Sequence, residues 1–232
     1  MSSDPNQPSP ADPHQPRYSD KPFPPYRFVP GLYPHPRRDA RGHSFGQPEP
    51  DAAPVAPERW MESDTYCYGI DLFNYAYWWE CHEELEALWH EVGHESEQGQ
   101  FLQGIVQIAA ACLRRFMDDD DDAGLSLAEK GLAKLRTFAG VYMGIDVPGF
   151  CNDVRAYFSD VRSLPPVITL NSTSPNVGKH WGLCATCRHA QEIHSSRGST
   201  FVRCGLSAAD KNFPKYPSLP VLTCTGYTDR PL

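Results

Sequence analysis

Four cysteines near the C-terminus and a set of histidines and carboxylates before and within the middle of the chain have the types and spacing for chemistry. Cys184-x2-Cys187 is followed by Cys204 and Cys224. A C-x-x-C turn sets two sulfurs on one small concave face, and two more from separate loops complete a tetrahedron with Zn–S distances of about 2.3 Å. Four soft thiolates suit a structural Zn²⁺ ion; an iron–sulfur cluster is the alternative. His180, His189 and His194 lie near enough in sequence to replace one ligand. The plain reading beside these is a redox-active C-x-x-C or scattered reduced thiols. Cys67, Cys81, Cys112 and Cys151 fall in helical segments and read as small buried hydrophobes.

His90-Glu91-Val92-Gly93-His94 spells H-E-x-x-H, the zinc-protease signature. The signature needs a third ligand, a helix that continues past it and a strand to hold substrate. Where one class places Gly and His downstream, this chain has Glu97 and Gln100. For the other class Glu129 is the acidic candidate, and it sits amid a charged face. "ESEQGQ" carries no apolar stripe, and no strand is expected here. The context therefore argues against a protease.

The same helix offers a better face. His82, Glu86 and Trp89 stand at i, i+4 and i+7. A histidine and a glutamate one turn apart can share a metal, or they hydrogen-bond to each other beneath an indole. Upstream, "YRFVPGLYPHPRRDARGHSFG" holds His35, Asp39 and His43. If this phrase drapes over the His82/Glu86 face, the histidines and carboxylates converge. With an open position such a divalent-metal site polarises water for hydrolysis. The plain reading is a rigid turn over a packing pair.

The elements that must position these residues follow from local pattern. Residues 1–57 hold 15 of the 23 prolines, so 1–25 reads as a disordered tail. Residues 26–62 read as an extended segment laid on the folded part. Residues 63–162 show helical periodicity without strand alternation. The expected helices begin at Ser63 or Asp64 and then run over about 78–91, 100–117, 123–139 and 148–162. Trp78, Cys81, Leu85, Leu88 and Val92 make the inward stripe of the second. The third, "FLQGIVQIAAACL", is apolar nearly all round and reads as the central one. Leu125, Ala128, Leu132, Leu135 and Phe138 line the fourth. "DDDDD" at 118–122 lacks the spacing of a calcium loop and reads as a solvated turn. Residues 163–179 read as a linker. Residues 180–232, with "STFVRC" and "LPVLTC" as short strands, are too few to bury much core and need a staple.

The net charge is −8. From Lys179 onward seven basic residues face three acidic ones, a balance of +4 that leaves −12 for the remainder. The whole is thus unsuited to nucleic acid, which could be contacted only through the basic C-terminal part, where Arg188, Arg197 and Arg203 lie beside Trp181 and Phe201. No apolar run approaches the ~20 residues of a membrane span, and the N-terminus lacks a signal-peptide pattern. The expected location is the cytoplasm, where clustered cysteines favour metal over disulfides.

"GIDLFNYAYWWECHEELEALWHEVGHESEQGQFLQGIVQIAAA" resembles the helical family catalogued as domain of unknown function 309. The residues that carry this are Leu72-Phe73-Asn74, Trp78, His82, Glu83, Glu86, Trp89, Leu102-Gln103-Gly104 and Gln107, with "PGLYPHP", Asp39 and Gly42-His43 upstream. The resemblance spans roughly 27–140. Ala76 stands where a turn glycine is usual, and the Asp run lengthens a short turn. The resemblance implies an all-α bundle and no assigned activity. The expected fold is a compact all-α five-helix bundle followed by a small irregular or β four-cysteine module stapled by metal. The expected function is binding or scaffolding, with a protein or a small ligand as partner. His35, Asp39, His43, His82, Glu86, Trp89 and Gln103 are its binding residues. The alternative is a metal-dependent hydrolase with His82 and Glu86 catalytic.

Overall fold

Ser63 starts the helical part as the sequence suggests: its Oγ accepts the Tyr66 N–H at 3.2 Å and caps α1, Asp64–Asn74. This is seen in a computed structural model, which describes residues 5–48, 52–117, 122–160, 163–171, 183–185, 187–194, 200–217, 221 and 223–229. The chain divides into two units, Met1–Asn171 and Ser172–Leu232.

In the first unit α1 closes with the Tyr77 N–H on the Leu72 carbonyl at 2.8 Å and the Ala76 N–H on that of Phe73 at 3.1 Å. This paired cap places its third residue in the left-handed region, and Ala76 has φ 61°. The position is the one where the sequence resemblance expects glycine. α2, Trp78–Val92, buries Trp78, Cys81, Leu85 and Leu88 and ends at Gly93 with φ 85°. α3, Glu97–Met117, packs against both α2 and α4. Phe101, Leu102, Ile105 and Ile108 on it are fully buried, each contributing about 1.5–3 kcal/mol. α4, Asp122–Leu135, crosses α3 where two glycines meet. A Cβ on Gly131 would stand 2.7 Å from the Gly104 carbonyl oxygen, so the backbones touch. Gly104 is the glycine of "LQG". Leu125 departs from the expected stripe and is exposed; Gly124 takes the inward place.

The chain then makes a short antiparallel ladder, β1 (Val141–Tyr142) with β2 (Ile145–Asp146). Met143 and Gly144, both at positive φ, form the turn. This hairpin was not anticipated in a segment read as all helix. α5, Val147–Ser159, follows with proline in its first turn. Residues 163–171, expected as linker, instead belong to the first unit. Asn74 brackets the Ile168 backbone, with Oδ1 accepting its N–H at 2.7 Å and Nδ2 donating to its carbonyl at 2.8 Å. Ile168 and Leu170 are buried.

In the second unit β3, Ala190–His194, pairs antiparallel with β4, Thr200–Cys204. β4 is the expected "STFVRC" strand. In "LPVLTC", the Val221 carbonyl accepts the Leu183 N–H at 2.8 Å; Leu219, Pro220 and Leu222 lie outside the described residues, as do 118–121, 172–180, Trp181 and Arg197. No helix among the described residues is long and apolar enough to cross a membrane.

Candidate functional site

The proline-rich N-terminus, expected to be disordered over 1–25, lies against α1 and α2 from Gln15 onward. Prolines remove donors but keep carbonyls, and tyrosines on α1 and at the α1–α2 turn use them. Tyr68 donates to the Pro22 carbonyl at 2.9 Å, Tyr75 to that of Gln15 at 2.6 Å and Tyr77 to that of Pro24 at 3.1 Å. Phe23 stacks on Tyr77 with centroids 5.0 Å apart. Asp71, buried on α1, accepts the Tyr18 N–H at 2.8 Å and the Ser19 N–H at 2.9 Å, with Arg17 Nε at 3.3 Å. Burial pushes its carboxyl above the ordinary value against the pull of those donors.

This segment places cations opposite carboxylates of α2. Glu80, 6% exposed, accepts the Phe28 N–H at 2.9 Å on Oε1 and faces His43 Nε2 at 3.1 Å; its Oε2 is buried without a partner among the described residues. His43 Nδ1 lies 2.8 Å from Ser44 Oγ. Lys21 Nζ donates to Glu84 at 2.8 Å, and Arg37 Nε stands 3.6 Å from Glu83. Between them lies a cleft of about 430 Å³, walled by Phe23, Tyr68 and Trp79 as well as these ions.

The expected convergence is thus redirected. His43 reaches α2 but meets Glu80, two residues before His82 and on a different side of the helix. Asp39 turns back to the Arg41 guanidinium, which holds its carboxyl at about 2. His35 packs between Phe28 and Trp79, with ring centroids at 5.2 and 5.4 Å. Gln103 is half-buried on α3.

Along the outer edge of α2, His82, Glu83 and Glu86 bring one ligand atom each to within 4.8 Å of one another. Burial raises the Glu83 carboxyl first, nearby His82 opposes that, and Glu86 adds to it. His90 Nε2 lies 4.0 Å from Glu86, and His90 Nδ1 lies 2.8 Å from His94 Nε2. Trp89, expected to cover the His82/Glu86 pair, stacks on His94 with centroids 4.1 Å apart. The H-E-x-x-H histidines therefore touch, but with the helix ending at Gly93 between them.

In the second unit Cys184, Cys204 and Cys224 line one cavity of about 750 Å³. Cys187, buried, pairs in a β-bridge with Asp229. Register places Cys204 opposite Ala190, three residues beyond Cys187. Burial raises the Cys184 thiol, and the fields of Cys187, Cys204 and Cys224 add to this. Among the described residues the four do not form a group as tight as the one on α2. His180 lies outside the described residues. Cys67, Cys81, Cys112 and Cys151 are buried and free, as expected, and burial raises their thiols.

The helices that carry this site define a small α-helical domain. Residues 66–124 match the model of the family described as Domain of unknown function (DUF309), from α1 to the start of α4. The N-terminal segment and the cysteine unit lie outside the match. No curated protein matches the chain.

Sequence reading missed Glu80, Glu84, Asp71 and Lys21. Glu80 and Glu84 sit at i and i+4 on the flank of the α2 stripe, and Asp71 interrupts an otherwise apolar run of α1, "IDLF". A carboxylate in such a run needs donors, and that was the available signal.

Proposed function

We propose that the chain is a cytoplasmic binding protein. Its helical unit holds a small ligand in the cleft between the N-terminal segment and α2, and its C-terminal unit is stapled by Zn²⁺ on Cys184, Cys187, Cys204 and Cys224. The observation that supports this is the pairing inside the cleft. Glu80, Glu83 and Glu84 each face a nitrogen-bearing side chain of the N-terminal segment, His43, Arg37 and Lys21. Carboxylates held in this way orient a ligand, whereas a general base must be free to take a proton. The aromatic walls and ionic rim suit a small polar molecule with a flat apolar part. Nothing in the geometry or the comparisons favours the hydrolase alternative.

The donor set of the C-terminal unit fits zinc: four thiols, three on one cavity wall and the fourth in the β-bridge to Asp229. Bound there, the ion would supply the cohesion that so short a unit cannot get from apolar burial. Its basic surplus makes this unit the place for any nucleic-acid contact.

Metal analysis of the full chain tests the zinc part. One zinc per chain that is lost in both Cys184→Ser and Cys204→Ser supports it. A metal-free chain whose C-terminal unit stays folded overturns it, and visible sulfur-to-iron absorbance replaces zinc by an iron–sulfur cluster. Trp79 fluorescence tests the cleft in a screen of small polar compounds. A compound that shifts it in the wild type and not in Tyr68→Ala supports the cleft; responses unchanged by that substitution overturn it.

A further inference from the structure

The outer edge of α2 carries a second constellation, which shares Glu83 with the rim of the cleft. We propose that His82, Glu83 and Glu86 form a binding site for a borderline divalent metal ion such as Zn²⁺, Mn²⁺ or Ni²⁺. This goes beyond the binding role above and does not depend on it.

Three observations carry the assignment. First, the donor atoms already converge: all three lie within 4.8 Å of one another. Two ligands on one ion stand about 3–3.5 Å apart, given metal–ligand bonds of about 2.0–2.2 Å, so small side-chain rotations suffice. His82 Nδ1 lies 3.9 Å from Glu83 Oε1, and Nε2 lies 3.8 Å from Glu86 Oε2. Both separations are too long for hydrogen bonds. A single ion would take one ring nitrogen of His82 together with one carboxylate oxygen from each glutamate, a set already within 4.8 Å.

Second, each carboxylate uses one oxygen toward His82 and presents the other to a separate base. Glu83 Oε2 stands 3.6 Å from Arg37 Nε, and Glu86 Oε1 stands 4.0 Å from His90 Nε2. Groups behind the ligating oxygens orient them and are a recurrent part of metal sites. His90, one turn on from Glu86, is also placed to enter as a fourth donor. The three ligands sit within one helix whose opposite face is locked by Trp78, Cys81, Leu85 and Leu88. Such rigidity keeps a constellation in place without the ion.

Third, His82 is also part of the wall of an apolar pocket of about 260 Å³, with Trp78, Trp79, Leu113, Met117 and Leu127 around it. A three-ligand ion here would keep an open coordination position next to a place for the apolar part of a ligand. The donor set, one imidazole and two carboxylates, selects borderline or hard ions and differs in kind from the four thiols of the C-terminal unit.

That difference supplies the test. Co²⁺ is titrated into the metal-stripped full-length chain, into Cys184→Ser, and into His82→Ala and Glu86→Gln. Cobalt on thiolates gives intense sulfur charge-transfer absorbance, whereas cobalt on nitrogen and oxygen gives weak visible bands. The weak-band component should be present in the wild type and in Cys184→Ser. It should weaken at least ~10-fold in affinity in His82→Ala and Glu86→Gln, with the charge-transfer component unchanged. His82 is about a third exposed, so alanine is tolerated there, and unchanged helical circular dichroism checks this. The proposal is overturned if the wild type has no nitrogen–oxygen cobalt component, or if His82→Ala and Glu86→Gln bind cobalt as the wild type does. Loss of the sulfur component alone, in any variant, bears only on the cysteine unit.

Discussion

His43 Nε2 lies 3.1 Å from Glu80 Oε1, and both side chains are about 5% exposed. The segment that precedes the helices is thus tied to a buried carboxylate of α2. Removing one partner of a buried pair costs more than the pair itself contributes, because the remaining group keeps its desolvation without its bond. Replacing His43 by alanine leaves Glu80 with the Phe28 N–H alone. The expected loss is about 2–4 kcal/mol of unfolding free energy, read from urea midpoints. The double variant His43→Ala, Glu80→Leu should recover part of it; no recovery would show that the histidine acts through packing only.

Asp71 fixes the other end of the segment. Burial holds its folded carboxyl above the ordinary value of 3.8. A raised folded value means that the native state keeps the proton longer. The stability tied to it is complete below the unfolded value and is lost as pH rises through the folded one. Asp71→Asn should flatten the stability curve in the window just above 3.8. It should also cost about 1 kcal/mol above that window, because one amide oxygen replaces two carboxylate acceptors for the Tyr18 and Ser19 N–H groups. Parallel curves for the two proteins would refute the assignment.

Gly131 and Gly104 set the distance between α3 and α4. Alanine in a helix is favoured over glycine by about 1 kcal/mol, yet a methyl at 131 would meet a backbone oxygen at 2.7 Å. The clash dominates, and Gly131→Ala should destabilise by about 1–3 kcal/mol. Lys130→Ala, exposed on the neighbouring position, should stay within about 0.5 kcal/mol. A neutral Gly131→Ala would mean that the helices can move apart.

Zinc on the cysteine unit requires thiolates, and the Cys184 thiol is raised by burial and by its three neighbours. A raised thiol holds its proton to higher pH, so zinc competes less well as pH falls, and uptake releases protons. Zinc retained on dialysis should drop steeply between about pH 8 and pH 6. Chelation should unfold the C-terminal unit while leaving the helical signal intact. Retention independent of pH, or loss of helix on chelation, would contradict this.

Helix number, order and inward stripes were legible because period and caps are local properties, as at Ser63, Trp78–Leu88 and Gly93. Ala76 shows the limit in one direction. The resemblance flags it as a position for glycine, and the structure gives the reason, a left-handed cap that alanine fills at a cost. Residues 5–25 show the limit in the other direction. Proline content reports that a segment cannot be helix; it does not report that Tyr68, Tyr75 and Tyr77 offer hydroxyls to its carbonyls. The His82/Glu86 pair was found from i, i+4 spacing, and Glu83 joins it because a long side chain reaches across a helix step. That His43 would choose Glu80 was not readable, since a turn-rich segment fixes its landing point only in three dimensions.

The anchoring of the N-terminal segment has a consequence for how the molecule is made. Residues 15–43 leave the ribosome before their partners, from Tyr68 to Glu84, and the face those partners occupy exists only when α1 and α2 pair. The segment must wait, unpaired, through the synthesis of the first helices, and it seals the unit late. Its prolines suit that delay: a stretch poor in donors has little with which to form competing structure while it waits.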